Sequence, residues 1–185
     1  MNALISLSIG VGLSTSTGFR VLVPFACLSA AALYGGFALP AEMVWLDSLP
    51  VFIGLLVATV LEIAAFYVPW VNDVLDTVEF PAAVIAGTYL TGSFAADLPT
   101  LLQWSTALAV GGGAAGTIQG MTGMTRLATN SATGGCASPV TASLEWMSSV
   151  MLSILSLTLP LLALVLVVMV LLFALRRLSK RPNAL

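Results

Sequence analysis

The chain has 185 residues, 59% of them hydrophobic and 8% charged, with a net charge of −2 and a mean hydropathy of +1.07. A soluble domain carries about a quarter of its residues charged, so this composition excludes an ordinary water-facing surface. Without a basic excess it also gives no surface for nucleic acid.

The expectation is an all-α, polytopic membrane helix bundle with broken or re-entrant helices. At about 20 residues per span, the length allows four to six segments. Residues 1–178 read as a single transmembrane domain and 179–185 as a basic cytoplasmic tail. There is no histidine, and the two cysteines sit in unlike settings, Cys27 in an apolar run and Cys136 in a Gly-rich loop. No His-based acid–base chemistry, usual zinc site, disulfide framework or cofactor is expected. The N-terminus has no positive region before its apolar run and no clear cleavage site, so it reads as part of the mature fold.

Residues 3–35 form the first apolar stretch, interrupted by Ser14-Thr15-Ser16-Thr17-Gly18, Arg20 and Pro24. Helix breaks at membrane depth are tolerated where the freed backbone faces protein or a cavity. Two half-helices are expected; the alternative is one kinked helix whose Ser and Thr bond their own backbone. Residues 36–50 read as a loop, with Trp45 at headgroup depth. Pro50 then starts a helix that carries Glu62 within its apolar run and ends at Pro69-Trp70.

Residues 71–80 read as a solvated or interfacial connecting helix bearing Asp73, Asp76 and Glu79. Those three match no established cation loop. Pro81 to Ala95 reads as a separate segment, too short to span unless extended, and Asp97-Leu98-Pro99 marks a turn. From Thr100 a helix runs into Gly111-Gly112-Gly113. The spacing of Gly112, Gly116 and Gly120 suits close helix packing, with local unwinding at Gly111–Gly113 left open. The last segment, Val140 to Leu178, would be about 58 Å long if straight, and Pro160 is expected to break it. Before Pro160, Glu145, Ser148, Ser149, Ser153 and Ser156 form a polar stripe facing inward. After it, Leu161 to Leu175 reads as lipid-facing. Arg176, Arg177, Lys180 and Arg181 assign the C-terminus to the cytoplasm.

Four charged groups fall within or beside apolar segments: Arg20, Glu62, Arg126 and Glu145. Each costs about 2.5–3.5 kcal/mol at a helix centre even on lenient scales, so they are expected to face the interior or one another. Gly10-x-Gly12 before Arg20 weakly echoes Gly111-x-Gly113 before Arg126, which suggests an inverted repeat with two half-sites. Structural ion pairs between helices are the alternative. In a functional site Arg20 and Arg126, with Asn130 and Ser131, would bind an anionic group, since guanidinium forks onto carboxylate or phosphate. Glu62 and Glu145 would carry protons or pair the arginines.

Thr15 to Arg20 with Pro24, Leu39-Pro40, Trp45-Leu46-x-Ser48, Glu62, Pro69, Arg126-x-x-x-Asn130-Ser131 and Pro139-x-x-x-Ser143-x-Glu145 carry a resemblance over nearly the whole chain. They are similar to the small bacterial integral membrane proteins catalogued as domain of unknown function 4126. The chain departs from that pattern at Gln119 and Thr122, where a basic residue or His is common, and at Ala64-Ala65-Phe66, where Ala-Asp-Lys is common. The resemblance implies a fold and a bacterial inner membrane, and no activity. The resulting expectation is a small, homo-oligomeric transport protein for an anionic solute or lipid headgroup, surrounded by membrane lipids, and not an enzyme. A passive channel and a structural or partner-binding membrane protein are the rivals.

Overall fold

The computed structural model describes residues 2–65, 69–134, 136 and 138–179. Among them every regular element is helical. In chain order they are α1 (Ala3–Thr17), α2 (Val23–Gly35), a 3-10 turn (Ala41–Leu46), α3 (Leu49–Ala65), α4 (Pro69–Phe94) and α5 (Thr100–Thr106). A π-helical turn (Ala107–Gly112) joins α5 to α6 (Gly113–Thr133), followed by α7 (Ser138–Thr158) and α8 (Pro160–Ser179).

The bundle is built around α1, which packs on α4, α7 and α8 and also touches α6 and α2. Every residue from Ser8 to Thr17 is buried. Gly10 and Gly12 let neighbouring helices come close, and the serine and threonine hydroxyls find partners. Ser14 Oγ donates to the Gly87 carbonyl at 2.5 Å and lies 2.6 Å from Thr91 Oγ1. Ser16 Oγ meets Ser153 Oγ at 2.9 Å, and Ser149 Oγ donates to the Ser16 carbonyl at 3.0 Å. These bonds satisfy groups that would be costly to bury alone.

The first apolar stretch is broken as expected, between Thr17 and Val23. Hydroxyls of Thr15, Ser16 and Thr17 do bond carbonyls of their own helix, yet the helix still ends there. A contact at Gly18 reinforces the break: a methyl at this position would lie 2.5 Å from the Ala115 carbonyl oxygen of α6. Pro24, in the first turn of α2, suits a helix start.

Two expectations need correction on α4. The helix runs unbroken through Pro81, so the connecting helix and the short segment are one element of 26 residues. Proline lacks an N–H and crowds the carbonyl four residues back, but Pro81 faces outward and leaves the packed face intact. That face carries Glu79, Ala83, Ala86, Leu90 and Phe94, all buried, at helical spacing. Glu79 is therefore an interior residue, not a solvated one. The side chains of Asp73 and Asp76 lie outside the described residues.

The glycine-rich segment stays helical, widened into the π turn rather than unwound. Its glycines serve contact with α4: a methyl at Gly111 would lie 2.5 Å from the Gly87 carbonyl oxygen, and Gly112 and Gly116 face Val84. Pro160 separates α7 from α8 as expected. The α7 stripe turns inward, with Glu145, Ser149, Ser153 and Ser156 buried and Ser148 half-buried. On α8, Leu161, Leu162, Val165, Met169, Leu172 and Phe173 are exposed, while Ala163 and Val167 are buried. Exposed Trp45 donates from Nε1 to Tyr89 Oη at 3.3 Å.

Helix α3 packs chiefly on α2, and Thr59 is its one buried residue. Among the described residues, Pro139–Thr158 is long and apolar enough to cross a membrane, and four shorter apolar helices accompany it.

Candidate functional site: a buried arginine–glutamate ring

The break between α1 and α2 carries Arg20 into the centre of the bundle. Arg126 arrives from the middle of α6, Glu145 from α7 and Glu79 from α4. Arg20 is 0% exposed and Arg126 2%, so both guanidiniums have left solvent entirely and depend on the protein for hydrogen bonds.

Two carboxylates serve both arginines. Glu145 accepts from Arg126 Nε at 2.7 Å and from Arg20 Nη2 at 2.9 Å, one oxygen for each. Glu79 Oε2 accepts from Arg126 Nη2 at 3.3 Å, and its Oε1 lies 3.7 Å from Arg20 Nη1. The four groups form a ring in which cations and anions alternate, and their charges cancel. Gln119 Nε2 donates to Glu79 Oε2 at 2.8 Å. That bond links α6 to α4 a second time, about two turns before Arg126.

Glu62 sits beside the ring rather than in it. From α3 it accepts the backbone N–H of Val21 at 3.0 Å and of Leu22 at 3.3 Å. These amides lie just before α2, where a helix leaves N–H groups without internal partners and favours a negative charge. Glu62 therefore caps α2 from a different helix and holds the broken backbone in place.

Of the six residues singled out from the sequence, Arg20, Arg126 and Glu145 meet directly, and Glu62 adjoins them through the backbone amides of Val21 and Leu22. Asn130 is half-buried one turn beyond Arg126, and Ser131 is exposed. Ser131 Oγ donates to the Leu127 carbonyl of its own helix at 2.7 Å, so it makes no contribution to the ring. Glu79 and Gln119 were missed. Glu79 was recoverable, because it falls on the buried stripe of α4 once the helix is read through Pro81. Gln119 gave a fainter signal, as a polar residue among the small residues of α6. The two arginines also reach the ring differently, one from a chain break and the other from an unbroken helix.

Two cavities reach the ring from different sides. One, of about 390 Å³, lies between α3 and α4 and is lined in part by Glu62 and Glu79. The other, of about 260 Å³, lies among α6, α7 and α8 and is lined in part by Phe19, Thr122 and Glu145. Phe19 and Val21 flank Arg20 in the chain and line different cavities, so the ring stands between the two. Among the described residues no cluster of three or more metal-ligating side chains occurs.

Fold and site together define an all-helical bundle, apolar outside, closed around a charge-balanced arginine–glutamate ring. The chain belongs to the family described as Domain of unknown function (DUF4126), whose model matches residues 7–180. No curated protein and no solved structure matches it.

Proposed function

We propose that this chain is a small polytopic protein of the bacterial cytoplasmic membrane that moves an anionic group, a solute or a lipid phosphate, together with a proton. The observation that carries the reading is the sharing of each carboxylate between two buried arginines, beside a cavity on either side. An anion reaching Arg20 and Arg126 must displace Glu79 or Glu145. A displaced carboxylate left charged in a low-dielectric interior is costly, and a proton removes that cost. One proton taken up per negative charge bound keeps the interior balanced. Glu62, Glu79, Glu145, Arg20, Arg126 and the neutral Gln119 are the groups that face this exchange.

The apolar exposed faces of α3 and α8 support lipid as the surroundings, and a second copy as a further neighbour. The basic residues from Arg176 onward support a cytoplasmic C-terminus; Lys180 and Arg181 lie outside the described residues. A second reading is a purely structural ring, favoured by the complete burial of both arginines.

Purified protein in vesicles loaded with a pH-sensitive dye tests the proposal, with gradients of inorganic phosphate or acetate, and separately with a fluorescent short-chain phosphatidic acid in one leaflet. Anion-dependent proton uptake or lipid redistribution, abolished by Arg126→Gln and stripped of its pH dependence by Glu145→Gln, is expected. Flux that survives both Glu62→Gln and Glu145→Gln without change in pH dependence identifies a passive channel. No flux from a folded, inserted protein leaves the ring structural.

A further inference from the structure

The cavity between α3 and α4 is more than an approach to the ring. Its inner end carries two carboxylates, Glu62 and Glu79, and its walls are hydrocarbon: Leu22, Leu61, Val78 and Ala82 among them. Leu61 is 64% exposed and Val78 59%, whereas Glu79 is 6% exposed, so the groove runs from an apolar surface inward to charge. It stays open because α3 leans on α2 and the 3-10 turn rather than on α4.

The balance of charge around the inner end is uneven. Oε2 of Glu79 is occupied by Gln119 and Arg126, while its Oε1 is buried, lies 3.7 Å from Arg20 Nη1 and receives no hydrogen bond. Two arginines and three glutamates gather here among the described residues. The ring uses two of those glutamates to balance the arginines. Glu62 adds a negative charge whose hydrogen bonds come from the Val21 and Leu22 backbone amides. The site therefore has room for one more positive charge, beside an oxygen that faces Arg20 across 3.7 Å without a hydrogen bond.

We propose that this groove binds the head of a membrane-borne primary ammonium. The N–H donors of the head group meet Glu79 Oε1 and the Glu62 carboxylate, and its hydrocarbon chain lies along Leu22, Leu61 and Val78. A primary ammonium supplies the donor that Oε1 lacks, whereas a quaternary head supplies charge without a donor. A water-soluble cation gains nothing from the apolar walls. The proposal rests on the membrane reading above and is independent of anion transport.

Full-length protein in phosphatidylcholine nanodiscs is titrated with dodecylamine, dodecyltrimethylammonium and dodecyl sulfate, and occupancy is read by native mass spectrometry. Retention of one dodecylammonium per chain is expected, in preference to the other two. Glu79→Gln lowers its affinity by about tenfold or more, the effect of one lost charge-assisted hydrogen bond. Because Glu79→Gln also touches the ring, Leu61→Trp serves as a second variant. It fills the exposed mouth from a residue outside the ring and should abolish retention, while Glu42→Gln, at a residue that does not line the groove, leaves it unchanged. Equal retention of the sulfate, or unchanged affinity in both Glu79→Gln and Leu61→Trp, overturns the proposal, as does no retained amine at all. A chain recovered in the aqueous fraction of cells overturns the membrane reading instead.

Discussion

Replacing Arg126 by methionine should be among the most damaging single substitutions available in this chain. The side chain is 2% exposed and bonds Glu145 at 2.7 Å and Glu79 at 3.3 Å. Methionine fills much of the volume but leaves two carboxylates facing one arginine, with Arg20 Nη1 3.7 Å from Glu79. Removing one partner of a buried ion pair costs about 3–5 kcal/mol, mostly from the charge left behind. For a chain of this size each kcal/mol shifts the midpoint by about 2–4 °C, so a fall of roughly 6–20 °C is expected. The assay is thermal unfolding of the protein in nanodiscs, followed by tryptophan fluorescence. Adding Glu145→Gln to the same chain removes the stranded charge, so the double variant should be less damaged than the two single effects summed, by about 0.5–3 kcal/mol. A midpoint within about 2 °C of the parent for Arg126→Met, or strictly additive effects in the double variant, would refute the ring as an energetic unit.

Neighbouring contacts make separate predictions. Gly111→Ala should destabilise by about 1–3 kcal/mol, the usual cost of overpacking, because its methyl would meet the Gly87 carbonyl and the Thr91 side chain. Gly113→Ala, two residues on and facing open space, should instead hold or raise stability by about 0.4–1 kcal/mol. The same unfolding assay separates them, and equal effects would count against close α4 packing at the π turn. Ser14→Ala removes a hydroxyl that holds the Gly87 carbonyl and Thr91, for a loss of about 1–3 kcal/mol from groups left unsatisfied. Ser105→Ala, whose hydroxyl bonds only its own helix on an exposed face, should stay within about 0.5 kcal/mol.

Composition and punctuation settled much about this chain before any coordinates. Low charge and long apolar runs require helices with an apolar exterior. Gly18 and Pro24 mark the first break and Pro160 the last, because glycine and proline act locally on the backbone. Arg20, Arg126 and Glu145 were legible for a similar reason: a charge inside an apolar run has few tolerable environments, and a shared partner is the commonest. The spacing of the Ser and Glu residues on α7 was enough to say which way that helix turns.

Tertiary structure decided the rest. That the helix continues through Pro81 despite the lost backbone hydrogen bond depends on the packing of Ala83, Ala86 and Leu90 against the bundle. Glu79 follows from that orientation, since its neighbours in sequence are acidic and suggest water, whereas its neighbours in space are two arginines. Glu62 has the converse history. Its place in an apolar run promised an arginine, but the chain break supplied two backbone amides at shorter range. Sequence spacing tells which groups must be neutralised. The partner each one takes depends on helix rotation and on where the backbone opens, and both arise only when the whole bundle has packed.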